Sequence, residues 1–258
     1  MNTTINGIDY YYEIHGSGQP LLLLHGGLGS IEMFEPDISK LSASHQVIAV
    51  ELQGHGRTTL GDRAISLIDI ADDMAAILRT LGIAKADVMG YSLGGGVAFR
   101  IAVQHPQLVR RLVLVSTPFA QEGFYPEMLP MQAALGAAMA EGMKDAPMYT
   151  SYAKLSPHPE RFPELLDRMG AYMRQPYNWA DDVVRVSAPT LLVYGDSDMF
   201  RLEHVVEFYK LLGGGQRDAG WMREHMAQNR LAILPNVTHY EMAASPQLVP
   251  TALAFLDR

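Results

Sequence analysis

The 258-residue chain contains no cysteine, only two tryptophans, and no apolar run of the length that crosses a bilayer. The first absence removes disulfides, thiolate metal sites and a cysteine nucleophile together. The last removes a membrane-spanning helix. The stretch from Met1 to Ile8 lacks the basic start and apolar core of a secretory leader, which makes the cytoplasm the expected compartment. Positive charge is also scarce: 20 Lys and Arg against 28 Asp and Glu leave a formal charge of −8, and the basic residues are dispersed. Nucleic acid, which needs clustered cations to neutralise its phosphates, is therefore not an expected partner. No histidine pair has zinc-ligand spacing, and Gly26-Gly27-Leu28-Gly29 lacks the lysine and spacing of a phosphate loop, so neither metal nor cofactor is expected.

What the chain does have is an ordinary globular balance, 48% hydrophobic and 19% charged, enough for one domain with an insertion. Extended pieces come first, at Ile8 to Ile14 and Pro20 to Leu24, with Gly16-Ser17-Gly18 as the turn between them. Helical and strand-like stretches then alternate. A helical run around 31–41 leads to Gln46–Val50, one at 66–81 to Asp87–Met89, and one after Ser92 to Leu112–Val115. Short, unalternating apolar strands joined by helices mark a parallel sheet covered on both faces, hence an α/β fold.

The alternation pauses over 118–186, where Met128, Met131, Met139, Met143, Met148, Met169 and Met173 mix with aromatics and prolines. This predicts a helical insertion between a first core part, 1–117, and a second, 187–258. The methionines fit either core packing or a cap whose adaptable side chains line a substrate cavity. Strands resume at Thr190–Tyr194 and Leu231–Leu234, and a helix at 247–256 closes the chain. The polar stretch from Gly213 to Arg230, with Trp221 inside it, exceeds the usual helix-to-strand link and reads as a surface loop.

The chemistry-bearing signal is Gly90-Tyr91-Ser92-Leu93-Gly94, set between an apolar strand and a helix. A turn this sharp crowds the backbone two residues before and after the serine, which calls for glycine at both places. Ser92 is thus a candidate nucleophile, and the free N–H of Leu93 at the helix start points toward an oxyanion. Serine also needs a base and a group that orients the base. Gly195-Asp196-Ser197-Asp198 offers two carboxylates beyond one late strand, and His239 follows another, in the order Ser, Asp, His.

With His25-Gly26-Gly27 and Gly54-His55-Gly56-Arg57-Thr58 added, five motifs stand in order at strand ends, and the whole chain resembles the α/β-hydrolase superfamily in its small, capped, esterase-like branch. The resemblance implies a mostly parallel sheet with helices on both faces and a helical cap. It also implies Ser92 as nucleophile, His239 as base and then acid, and Asp198 as orienting carboxylate, with Asp196 the alternative. Backbone N–H groups of Gly27 and Leu93 would form the oxyanion hole. His25 and His55 are read as turn residues. Where some relatives carry the acid after the earlier strand, Ser116-Thr117-Pro118 offers no carboxylate.

The implied activity is hydrolysis of a small-molecule carboxylic ester or lactone, and a looser likeness extends to esterases of macrolide lactones. Carbon–carbon bond hydrolysis, cofactor-free perhydrolysis, and a non-turnover ligand receptor are the competing readings for this fold. Oligomeric state is not legible.

Overall fold

The computed structural model describes residues 1–35 and 37–257. Pro36, within the helical run 31–41, and Arg258, the last residue of the second core part, lie outside the described residues. Eight strands form one sheet: β1 (Asn2–Ile5), β2 (Ile8–His15), β3 (Gln19–Leu24), β4 (His45–Val50), β5 (Ala86–Tyr91), β6 (Val109–Val115), β7 (Thr190–Ser197) and β8 (Arg230–Thr238). Their spatial order is β1-β2-β4-β3-β5-β6-β7-β8. β1 pairs antiparallel with β2, and β2 with β4; all later pairings are parallel. The β1–β2 turn is the two-residue Asn6-Gly7 link, in which both residues have positive φ (50° and 80°), the twist that tight hairpins favour.

Nine helices accompany the sheet among the described residues: α1 (Asp37–Leu41), α2 (Leu67–Thr80), α3 (Leu93–Gln104), α4 (Met128–Ala133), α5 (Pro147–Leu155), α6 (Phe162–Met173), α7 (Ala180–Val183), α8 (Leu202–Leu211) and α9 (Leu248–Leu256). The predicted run 31–41 contains a 3-10 turn, Ile31–Phe34, and α1. Ser66 caps α2 by accepting from the Asp69 N–H at 3.2 Å, which satisfies one of the free donors at the helix start. Helix α8 was not among the predicted elements. Its buried Val205 and Phe208 join the core on the α2–α3 face.

Because side chains alternate along a strand, β3 feeds two cores: Leu22 and Leu24 pack with α2 and α3, whereas Leu21 and Leu23 pack with α1 and α9. Burial on both faces is what a central parallel strand requires. Between β6 and β7 the chain is helical, α4 to α7 with intervening 3-10 turns. The two ends of this insertion meet: Trp179 N–H donates to Phe119 O at 2.9 Å and Gln121 N–H to Tyr177 O at 3.0 Å. Arg100 of α3 adds a 2.5 Å bond to Asp182, so the insertion is fastened to the sheet's helices. Among the described residues no helix is long and apolar enough to cross a membrane.

Candidate active site

Ser92 stands between β5 and α3 with φ 53° and ψ −115°, a strained backbone worth on the order of 1–3 kcal/mol that the surroundings must offset. They do so from both sides. Its N–H donates to Val115 O at 2.9 Å, and its carbonyl accepts from Gly96 N–H at 3.0 Å. A Cβ on Gly90 would collide with the backbone of Gly94, and one on Gly94 with the carbonyls of Leu24 and His25. The two glycines are therefore required by close backbone approach.

His239 follows β8 and Asp198 follows β7, and the pairing of these strands slips between Gly195 and Ser197. Such an irregularity re-aims the residues just beyond it. Ser92 Oγ donates to His239 Nε2 at 3.1 Å, and His239 Nδ1 donates to Asp198 Oδ1 at 2.9 Å. With Nδ1 carrying the proton, Nε2 is left with its lone pair toward the serine. The imidazole is held by packing as well: the Tyr91 and Phe200 rings lie 5.3 and 5.5 Å away, and His239 is buried. Asp196 sits elsewhere, exposed, accepting from the amides of Asn236 (3.0 Å) and Val237 (3.4 Å), which lowers its pKa.

Two contacts here have no counterpart in the sequence reading. Ser116, at the strand end where no carboxylate is present, donates to Asp198 Oδ2 at 2.5 Å, and Gly195 N–H supports the same oxygen at 3.3 Å. Tyr91, between Gly90 and Ser92, donates its hydroxyl to His239 O at 2.6 Å. That bond links the serine turn directly to the histidine loop. Neither pairing has a sequence signature, since the partners lie 82 and 148 positions apart.

Leu93 opens α3, so its N–H has no acceptor within the helix. The Gly27 Cα lies against it: a Cβ there would come within 3.8 Å of Leu93 Cβ. That Cβ would also reach 3.3 Å from Met169 Cε, so a methionine of α6 occupies the room beside the glycine. The loop carrying Gly27 is tied down by His25, whose Nδ1 donates to Gly26 O at 2.7 Å while Nε2 accepts from Leu52 N–H at 3.0 Å. Burial, with the neighbouring His55 second, lowers the His25 pKa to about 3. His55 donates from Nδ1 to Gln53 O at 2.9 Å, and burial lowers its pKa to about 4. Both are neutral buried rings that hold turns. Glu51 braces the second turn through Arg57, by a 2.7 Å ion pair and a 2.5 Å bond to its amide.

Ser92 and His239 open on a cavity of about 720 Å³ between the sheet's C-terminal edge and the insertion. Met128, Met148, Met169 and Met173 line it; Met131 and Met139 are exposed, and Met143 packs on the core. Cavity lining and core packing thus account for five of the seven, and the exposed Met131 and Met139 take neither expected role. Phe124, Phe200 and Trp179 complete a mostly apolar wall. Among the described residues no group of three or more His, Asp and Glu is arranged to hold a metal ion. The 213–230 stretch lies outside the cavity lining, with Trp221 97% exposed.

Residues 19–147, half of the chain, match the family model described as the alpha/beta hydrolase fold. Over 118 residues the chain is 39% identical to "Putative carbamate hydrolase RutD" of Azorhizobium caulinodans, covering 45% of this chain and 44% of that protein. It is 36% identical over 107 residues to the 2-(acetamidomethylene)succinate hydrolase of Mesorhizobium japonicum, covering 41% of this chain and 38% of that protein. The chain thus spans less than half the length of these curated relatives. In structure it resembles the enol-lactonase from Burkholderia xenovorans LB400, with a TM-score of 0.74 at 17% identity over all of both chains. At that identity the likeness concerns the fold.

Proposed function

The chain belongs to the α/β-hydrolase fold family, and from that premise we propose that it is a serine hydrolase cleaving the carboxylic ester or lactone of a small molecule through an acyl-enzyme. The carrying observation is the continuous hydrogen-bond line from Ser92 through His239 to Asp198 at an apolar cavity. In this reading Ser92 Oγ attacks the carbonyl carbon as its proton passes to His239 Nε2. Negative charge gathers on the carbonyl oxygen, within reach of the Gly27 and Leu93 amides and the positive end of α3. His239 then protonates the leaving alkoxide, and the carbon–oxygen bond breaks. For a lactone the alcohol stays tethered to the acyl group. Water, deprotonated by the same nitrogen, attacks the acyl-enzyme and releases the acid with Ser92 restored.

Residues 118–186 act as a cap over the core parts 1–117 and 187–258, and a cap built from flexible methionines suits a bulky acyl group or lactone, a macrolide lactone among them. The names of the two curated relatives, a carbamate hydrolase and a 2-(acetamidomethylene)succinate hydrolase, support hydrolysis as the reaction class. We place its action in the cytoplasm. Steady-state hydrolysis of nitrophenyl esters, compared with Ser92→Ala, is the test. Multiple turnovers abolished by the substitution support the reading, whereas a single turnover at most indicates a receptor, and equal rates in both proteins exclude Ser92.

A further inference from the structure

Ester cleavage requires Ser92, His239 and the oxyanion amides, but four tyrosines also line the cavity: Tyr91 is bonded to His239 O, Tyr240 is exposed, and two more have no such role. Tyr172, in α6, and Tyr177, in the loop before α7, both line it. Neither hydroxyl is bonded to another protein group among the described residues. Burial raises both far above the ordinary phenol value, and each therefore remains an O–H donor at any physiological pH. Both side chains are half-buried, and a cavity-lining phenol without a protein acceptor donates to water or to whatever fills the cavity.

The rest of the lining limits what that can be. No lysine or arginine lines the cavity among the described residues. Its one acidic side chain, Glu32, is engaged by Arg57 at 3.6 Å and Lys154 at 3.4 Å. A carboxylate or phosphate entering this wall would lose its hydration and find no cation except a protonated His239. A succinate, such as the name of the Mesorhizobium relative specifies, would be poorly held.

We propose that the cavity binds a bulky, apolar acyl compound without carboxylate or phosphate, whose hydroxyl, ether or ketone oxygen accepts hydrogen bonds from Tyr172 and Tyr177. The serine-hydrolase reading is needed only to seat the scissile carbonyl at Ser92. Recognition can be read by binding alone, because Trp179 lines the cavity and the other tryptophan, Trp221, is fully outside it.

The experiment titrates the Ser92→Ala, Trp221→Phe protein by Trp179 fluorescence with three probes. These are methyl decanoate, the same ester with a ketone next to its terminal methyl, and the monomethyl ester of decanedioic acid. The ketone should bind about tenfold tighter than the plain ester, the size of one or two net hydrogen bonds. The acid should bind about 100-fold more weakly than the plain ester. Tyr172→Phe with Tyr177→Phe should erase the ketone's advantage and leave methyl decanoate unchanged. The double variant is expected to fold, because the hydroxyls it removes have no protein partner. Binding of the acid within about threefold of the plain ester, or a ketone preference that survives in the double variant, overturns the proposal. Turnover of the same probes by the protein with Ser92 intact separates the two ideas. Cleavage without this selectivity sinks the recognition proposal alone, and selectivity without cleavage sinks the hydrolase reading alone.

Discussion

Asp198→Asn removes one charge and keeps the side chain's shape, and its effect can be worked from four bonds. Oδ1 accepts from His239 Nδ1 at 2.9 Å and Met199 N–H at 2.8 Å; Oδ2 accepts from Ser116 Oγ at 2.5 Å and Gly195 N–H at 3.3 Å. An asparagine must turn its NH2 toward one of these pairs. Facing the Oδ2 side it opposes only the long Gly195 bond, because the Ser116 hydroxyl can rotate and accept. The amide oxygen then stays on His239, the tautomer survives, and the loss is the charge that stabilises the imidazolium. At 2.9 Å and an effective dielectric of about 20, that attraction is roughly 6 kcal/mol. Allowing for the amide dipole that remains, kcat should fall by roughly three to four decades. Asp196→Asn affects only the Asn236 and Val237 amides and the Ser197 hydroxyl and should stay within about threefold. Initial rates on nitrophenyl butyrate, with folding checked by circular dichroism, measure both. A loss under about tenfold in Asp198→Asn, or a larger loss in Asp196→Asn, would refute the assignment.

Ser116→Ala deletes a bond to a charged acceptor and should cost about tenfold in kcat with KM little changed; an unaltered kcat would show that Asp198 needs no such support. Acid should unfold the protein through its buried histidines. His25, His55 and His204 have pKa values lowered to about 3, 4 and 4, each chiefly by burial, so the unfolded chain takes up protons first. Their stabilisation is complete above the ordinary value of 6.5 and is lost as pH falls toward 4, at up to about 4 kcal/mol per pH unit for three groups. Urea midpoints that stay flat across that window would contradict it. Gly94→Ala should prevent folding or lower Tm strongly, because the methyl meets carbonyls of two strand-end residues. Gly27→Ala comes closest to the flexible Met169 terminus, at 3.3 Å, with Leu93 at an ordinary 3.8 Å, and should fold with a small change in Tm. Equal melting of the two variants would undermine the close-approach explanation.

The parallel strands were legible because burial on both faces leaves runs such as Leu21 to Leu24 without polar interruption. The serine turn was legible because its crowding demands glycine at fixed offsets. Helix α8 was missed although Val205 and Phe208 have helical spacing, since it begins without a side-chain cap and runs into the glycines at 213–215. Ser116, Tyr91, Tyr172 and Tyr177 could not be read in advance. Their roles depend on partners or on a cavity wall supplied by distant segments, and a lone serine or tyrosine carries no periodicity to mark it.

In the proposed mechanism Ser92 is made reactive by His239 within this fold. Intact-mass analysis after treatment with a fluorophosphonate reads it directly. One adduct per chain, mapped to Ser92 and absent from Ser92→Ala and from the urea-unfolded protein, is the expected result. No adduct on folded protein, or equal labelling of the Ser92→Ala variant, contradicts it.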